Sequence, residues 1–276
     1  QGNTDNLIAA ISLAEEIEKT VDNKDLTNLS KPPLSYRLGL YQGKQMQMVG
    51  ESTYQRILND SVNPLISYRI DDLLRNGVKK EKVDAYNALK AYLMMFDKKH
   101  LDPAFLQSWL MSNVVKDGDV SSEQLKSIER ALEQILYKQN LSPSVPYDEN
   151  LIELRRQEIA KNDISSMLLD NVLKDVSVTS GDSFAPISFS SMGGAQSHLL
   201  FRRLSGSSLK TPINYLYTKE VYNKKILPSL IQHAESLFGE KDWVLGSYAS
   251  LSNSKISVIK EAQQTYFNNY IKEWNI

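Results

Sequence analysis

The chain has 276 residues, of which 41% are hydrophobic and 24% are charged, and its net charge is −1. This is the composition of a globular protein, and its balanced charge excludes a global basic field that would hold nucleic acid or an anionic membrane. The sequence contains no cysteine, which excludes disulfides, thiolate catalysis and cysteine-ligated metal sites.

No apolar run in the sequence approaches the roughly 20 residues that a membrane-spanning helix needs. No signal peptide pattern is found at the start of the chain either. We therefore expect a soluble protein or a soluble piece of a larger one, and the start at Gln1 without a methionine favours the piece.

Several segments of the first 100 residues carry apolar side chains at every third or fourth position, which predicts amphipathic helices. One helix is expected over about residues 4–22. A long helical stretch is expected from Tyr36 to Asn76, kinked or split by Pro64 and ended by Gly77.

Two helix starts have specific capping signals. Asp102 is predicted to cap a short helix that begins at Pro103 and runs through Trp109. Ser121 and Gln124 have capping-box spacing, which predicts that a further helix begins there.

In the second half, the segment Ser142 to Pro146 predicts a linker or a tight loop before a helix over about residues 148–174. Serine, glycine and proline are then dense from Val176 to Thr211. A helix is predicted from Thr218 to Phe238, bent by Pro228, and a final helix over about residues 256–274.

These elements predict a mainly α fold with a bundle-like arrangement of many helices. At most a small β element is expected near residues 183–190, where Ile187 and Phe189 alternate with serines, and a second near 243–245. We predict an N-terminal helical subdomain over residues 1–145. The predicted C-terminal subdomain, 146–276, carries a Ser/Gly-rich loop insertion, and the role of its Ser-rich stretch 177–197 is left open.

Metal and nucleotide chemistry find little support in the sequence. His100, His198 and His233 are far apart and form no ligand pair, so we interpret them as structural or exposed. The loop Gly39 to Gln45 is one residue short of a phosphate-binding loop and ends in glutamine where a hydroxyl is needed. The segment Asp117 to Asp119 resembles a calcium loop, but its glycine is misplaced and the bidentate carboxylate is missing. The sequence therefore predicts no metal and no cofactor.

A serine nucleophile is the best case for an enzyme. Ser207 and Lys210 form an S-x-x-K pattern, in which the lysine would accept the serine proton one helical turn away. However, the same pattern recurs at Ser252–Lys255 and Ser257–Lys260, as expected in a chain rich in both residues. A serine acyl-enzyme using Ser207 and Lys210 and a generic helical binding module stay as alternatives to a non-catalytic structural protein.

The 14 tyrosines, with Tyr215, Tyr217 and Tyr222 close to one helix start, have two interpretations. Tyrosine suits interfaces because it combines a large apolar face with a polar tip. A buried tyrosine with a bonded hydroxyl is at least as common, so the sequence leaves both interpretations open.

Several ordered segments resemble the IcmF/TssM family. In the second half they are Phe201 to Gly206, Thr211 to Tyr222, Lys241 to Gly246 and Tyr266 to Trp274. Upstream, the matching segments are Leu38 to Gly43, Tyr54 to Leu58 and Tyr86 to Met95. Each segment alone is weak, but their order matches from about residue 34 to the end of the chain.

This resemblance implies a structural, non-catalytic segment of a trans-envelope secretion complex, of type VI or of the type IVB (Dot/Icm) system. It implies the helical periplasmic part of a bacterial inner-membrane protein, with membrane contact only through segments outside this chain. The implied partners are other subunits of the secretion complex, namely a DotU/IcmH/TssL-type protein and, in the full-length complex, further copies of the same protein. The family's lipoprotein-docking β domain is not matched here, so lipoprotein binding is not implied.

Overall fold

Helices account for nearly all the regular structure in the residues that the computed structural model describes, which confirms the predicted mainly α class. The description covers residues 2–21, 52–80, 84–114, 120–138, 141–161, 163–180, 187–194, 196–200, 202, 208–251 and 254–275. The chain divides into two compact units, Gln1–Ile152 and Glu153–Ile276. The subdomains proposed from sequence, 1–145 and 146–276, stay a prediction.

The first unit is built from long helices. They are α1 (Gly2–Val21), α2 (residues 52–80), α3 (Ala85–Phe96), α4 (Pro103–Val114) and α5 (Ser122–Tyr137). The helix α6 (Glu149–Lys161) contains the division between the units. Within the first unit, α1 packs against α2 and α5, and its buried side chains are Leu7, Ile11 and Ala14.

The helix α2 alternates between α and π turns. Its π turns are Leu58–Val62 and Leu73–Gly77, and the α-helical segment Asn63–Asp72 lies between them. Pro64 occupies the first turn of this α-helical segment, so the predicted interruption is present and takes the form of the preceding π turn. The predicted stop at Gly77 is wrong, because the helix continues through Val78–Lys80 and Gly77 is buried. The part of the predicted helix from Tyr36 to residue 51 lies outside the described residues.

A polar network fixes the loop that precedes α6 to the rest of the first unit. The Tyr92 hydroxyl donates to the carbonyl of Pro146 at 3.0 Å and accepts from the amide of Asp148 at 3.1 Å. Arg75 binds the carboxylates of Asp148 at 2.9 Å and Asp71 at 2.8 Å. The predicted linker Ser142 to Pro146 is therefore a loop tied to the helices at its carboxyl end.

The second unit contains three long helices. They are α7 (Ile164–Ser180), α10 (residues 219–245, with a π turn at Tyr222–Ile226) and α11 (Lys255–Asn275). Short helices α8 (Phe189–Gly193) and α9 (Ser197–Leu200) and a 3-10 turn at Tyr215–Tyr217 lie between α7 and α10 in the chain. The long helices share one apolar core, whose buried residues are Leu168, Leu169, Val172, Val176, Val221, Ile226, Leu230, Ala234, Val258, Ala262 and Tyr266.

The helix predicted over about residues 148–174 is divided in two at Asp163. Its carboxylate accepts hydrogen bonds from the amide and hydroxyl of Ser165, at 2.9 and 2.8 Å, which is how a capping aspartate satisfies the first turn of a helix. The sequence analysis missed this cap because the apolar periodicity continues on both sides of it.

Extended structure is small in the part of the chain that is described. Near residues 183–190 it consists of one antiparallel bridge between Ile187 and Ile213, and 183–186 lie outside the described residues. Phe189 does not continue a strand but begins α8 behind a Ser188 capping box. The β element predicted near 243–245 is wrong, since these residues form the last turn of α10. Val244 and Leu245 are buried there, and tertiary packing overrides their β propensity.

Among the described helices, none is both long enough and apolar enough to cross a membrane.

Candidate functional site

The serine and lysine residues of the enzyme hypothesis form no described catalytic pair. Ser207 lies outside the described residues, and Lys210 is exposed in a turn where its amide donates to the Ser208 hydroxyl at 3.2 Å. Ser257, in a second S-x-x-K pattern, donates its hydroxyl to Glu261 at 2.9 Å rather than meeting a lysine.

The two histidine side chains that are described have ordinary partners. His100 Nδ1 lies 2.6 Å from Asp97 Oδ2, and His233 Nδ1 lies 2.9 Å from the carbonyl of Ser229 one turn earlier. The side chain of His198 and the segments Gly39–Gln45 and Asp117–Asp119 lie outside the part of the chain that the structure describes. No group of three histidine, aspartate or glutamate side chains that could hold a metal occurs in the described part of the chain.

Two of the segments that carry the family resemblance, Thr211 to Tyr222 and Tyr266 to Trp274, meet in the second unit. The C-terminal helix α11 binds the backbone of the segment Ile213–Thr218, which precedes α10. The Tyr266 hydroxyl donates to the carbonyl of Leu216 at 2.8 Å, and the indole N–H of Trp274 donates to the carbonyl of Tyr217 at 2.7 Å. The Glu273 carboxylate accepts from the amide of Asn214 at 2.9 Å. We call this segment and the helix residues that bind it the aromatic clamp.

Ring contacts reinforce the aromatic clamp. Tyr266 stacks on Tyr222 with ring centroids 5.0 Å apart and contacts Tyr217 at 5.5 Å. Trp274 stacks on Tyr270 at 5.6 Å and meets the edge of Phe189 at 5.7 Å. Such offset and edge contacts each add about 0.5–1.5 kcal/mol beyond area burial. The clamp therefore joins α8, the 3-10 turn, α10 and α11 into one cluster.

Electrostatics keep the phenols of the clamp neutral. Burial raises the pKa of Tyr266 above its ordinary value, and neighbouring tyrosines raise it further. Burial also raises the pKa of Tyr217, with a second contribution from the Glu273 carboxylate. A neutral phenol is the form that donates to a carbonyl, so the Tyr266 hydroxyl serves as a fixed donor to the carbonyl of Leu216.

A second contact fixes the Asp-Trp-Val-Leu-Gly segment at the end of α10. The Arg156 guanidinium donates to the carbonyls of Val244 at 2.9 Å and Trp243 at 3.3 Å, which are among the last carbonyls of the helix. Gly246 then turns the chain with φ of +57°, in the region that favours glycine. Next to this turn, the Tyr248 hydroxyl donates to Glu153, which lowers the pKa of that carboxyl.

Arg156, Glu153 and Glu273 were not predicted from the sequence as partners of these motifs. One signal was available for the first of them. A glycine directly after a helix leaves backbone carbonyls exposed, and arginine is a common donor to them. Which arginine would reach them depends on tertiary structure, because Arg156 lies far from Gly246 in sequence.

The arrangement can hold backbone segments in place, and it leaves some apolar surface on α11. Phe267 is 40% exposed and Ile271 is 54% exposed, although both are beside clamp residues. Hydrogen bonds within the clamp occupy its polar groups. The described residues of the clamp thus offer a surface for contact and no reactive side chain poised for covalent chemistry.

Comparison with known proteins gives two matches. The model of the family described as "IcmF-related: Intracellular multiplication and human macrophage-killing" matches residues 14–276. The type VI secretion system component TssM1 of Pseudomonas aeruginosa is 26% identical over 239 residues, which is 86% of this chain and 21% of the relative. The chain therefore spans about a fifth of that relative's length. No solved structure matches.

Proposed function

The chain belongs to the IcmF-related family, and from this membership we propose that it is a non-catalytic structural segment of a trans-envelope secretion complex. The name of the similar TssM1 protein favours a type VI system over a type IVB system. We further propose that the segment is part of an inner-membrane protein and lies in the periplasm. Its partners in this proposal are a DotU/IcmH/TssL-type subunit and further copies of its own full-length protein.

One observation carries the structural role. Two of the segments that resemble the family bind one another through side-chain to backbone hydrogen bonds and ring contacts, as Tyr266, Trp274 and Glu273 do in the aromatic clamp. These residues therefore have a packing role that requires no substrate. A helical body held in this way can keep partner surfaces at fixed positions, which is what a structural subunit must do.

Secretion assays on full-length variants test the non-catalytic part of the proposal. Ser207→Ala and Lys210→Ala, introduced separately into the chromosomal gene, are expected to leave secretion unchanged because the proposed structural role needs neither a nucleophile nor a base. Trp274→Ala should reduce secretion together with the cellular level of the protein, since it removes a clamp bond. Loss of secretion in the Ser207 or Lys210 variant at an unchanged protein level would contradict the proposal.

The location can be tested because this segment has no cysteine of its own. A single cysteine placed at the exposed Lys272 of the full-length protein can be probed in intact cells with a membrane-impermeant maleimide. We expect labelling above that of the unsubstituted protein. Labelling that appears only after the inner membrane is broken would contradict a periplasmic position.

A further inference from the structure

The helix α11 carries a second apolar stripe on the side away from its core. Ile256, Phe267 and Ile271 lie along it, spaced with Lys260 and Gln264 at intervals of three and four residues. The three apolar side chains are 64%, 40% and 54% exposed, whereas Val258, Ala262 and Tyr266 on the other side of the helix are buried. Single exposed apolar residues are ordinary, but a row at helical spacing is the pattern of a helix that packs on both sides.

The carboxyl-terminal part of this stripe is held in one conformation before any partner arrives. The ring of Phe267 lies 5.1 Å from that of Tyr222 and 5.7 Å from that of Tyr266. The Tyr222 hydroxyl in turn accepts a hydrogen bond from Gln263 at 2.9 Å. Aromatic anchors that are already ordered lose little side-chain entropy on binding, which makes them effective contact residues.

Four lysines lie close along the chain to residues of this surface. Lys219 and Lys225 lie within one turn of Tyr222 along α10, Lys260 lies on the stripe, and Lys272 follows Ile271; all four are exposed. None of these four forms an ion pair within the described residues. The nearby carboxylates of Glu220, Glu261 and Glu273 accept from Lys224 at 2.7 Å, from the Ser257 hydroxyl at 2.9 Å and from the amide of Asn214, and they keep their negative charges. With Lys224, five lysines stand against these three carboxylates, so the surface has a net positive charge.

We propose that this stripe docks an amphipathic helix of another protein, one whose apolar face is flanked by aspartate and glutamate side chains. The exposed row of Phe267 and Ile271 supplies the apolar centre, and the lysines supply a positive rim that such flanks complement. A second copy of this chain fits the surface poorly, because it would bring the same lysines against one another. The inference rests on the proposed structural function for its setting and names the surface through which that function is exerted.

The test uses the purified chain and two synthetic helices of about 20 residues. One peptide has leucine at stripe spacing with glutamate on both flanks, and the other has lysine in place of every glutamate. Fluorescence anisotropy should show the glutamate peptide binding at least about tenfold more tightly, with affinity falling as salt is raised. The Phe267→Ser and Ile271→Ser variants should each weaken binding of the glutamate peptide by about tenfold or more.

Two further variants make the result specific. Lys260→Glu is a surface change that should leave the helical circular-dichroism signal intact. It should weaken binding of the glutamate peptide and strengthen binding of the lysine peptide. Val178→Ser is the control, because it removes an apolar side chain that is 79% exposed on α7 rather than on α11. This variant should bind the glutamate peptide with the affinity of the unsubstituted chain.

Equal affinity for the two peptides would overturn the proposal, as would binding that survives both serine substitutions on the stripe. A concentration-dependent dimer that Phe267→Ser dissociates would assign the surface to a second copy and would overturn it too. These readouts involve no secretion, so a negative result leaves the proposed function to be judged by the Ser207 and Lys210 variants.

Discussion

Gly246 ends helix α10 with φ of +57° and ψ of −128°, a backbone conformation that side-chain-bearing residues adopt only with strain. A β-carbon built there would lie 3.1 Å from the Arg156 Nη1 atom, so the guanidinium that binds the end of α10 would have to move. We expect Gly246→Ala to lower the free energy of unfolding by about 1–3 kcal/mol. Urea denaturation followed by circular dichroism measures this.

Gly239 provides the matched control for Gly246. It lies inside the same helix, and no described atom is within 4 Å of an added β-carbon. Gly239→Ala should therefore stabilise the protein by about 0.5–1 kcal/mol, because alanine is the better helix former. If both substitutions shifted the urea midpoint in the same direction, the argument from backbone conformation at Gly246 would be wrong.

Tyr266 is fully buried, and its hydroxyl binds the carbonyl of Leu216. Tyr266→Phe keeps the ring contacts of the aromatic clamp but leaves that carbonyl without this donor. We expect a loss of about 1–2 kcal/mol in the free energy of unfolding. Tyr137→Phe, at a side chain that is 54% exposed, should change it by less than about 0.5 kcal/mol. Equal effects of the two substitutions in thermal or urea unfolding would refute the assigned role.

Helix α5 shows what a local sequence signal can establish at the scale of one element. The Ser121 hydroxyl accepts from the amide of Gln124 at 3.2 Å, and the Gln124 side chain accepts from the amide of Ser121 at 2.9 Å, so the predicted capping box is confirmed. Ser121→Ala should lower the free energy of unfolding by about 1 kcal/mol. Ser121→Asp, which can still accept the bond, should have little effect. A Ser121→Asp variant as unstable as Ser121→Ala in urea denaturation would contradict this.

The predicted helix starts are confirmed where a capping residue marks them. Asp102 accepts from the amide of Phe105 at 3.0 Å at the start of α4, as its position before Pro103 predicts. That helix runs to Val114 and not only to Trp109. Its end was predicted wrongly because no residue in the sequence marks it. Apolar periodicity likewise predicted α1 and α11. A helix end without a specific capping residue is fixed by packing, which periodicity does not report.

The π turns in α2 and α10 could not be predicted. A π turn is a single irregular turn, and the few apolar positions within so short a window do not distinguish it from an α turn. Prolines marked both interruptions, since Pro64 and Pro228 each occupy the first turn of the α-helical segment that follows a π turn. The sequence therefore located the irregularity and missed its form. Partners distant in sequence, such as Arg156 and the end of α10, could not be predicted because only the tertiary structure brings them together.

Four carboxyl groups spread over the described residues have pKa values that are shifted in the same direction. Hydrogen bonds lower the pKa of Asp97 chiefly through His100, that of Asp148 through the amide of Leu151 and then Arg75, and that of Glu153 through Tyr248. Burial acts to raise the pKa of Asp163, but hydrogen bonds from Ser165 and Ser166 outweigh it and leave the pKa lowered. Each of these carboxylates therefore binds protons less readily when the protein is folded than when it is unfolded.

Lowered carboxyl pKa values fix the direction in which stability depends on pH. The stabilisation that they provide is complete above the pKa values of the unfolded chain, near pH 4, and is lost as pH falls through the lower folded values. We expect the urea midpoint to be nearly constant from about pH 7 to about pH 5 and to fall steeply below about pH 4. Asp163→Ala should have a lower midpoint at neutral pH and a smaller fall on acidification, because it removes the cap of α7 together with its titrating group. A midpoint that rises on acidification, or an equal fall in this variant, would show that these hydrogen-bonded carboxylates do not govern the response to acid.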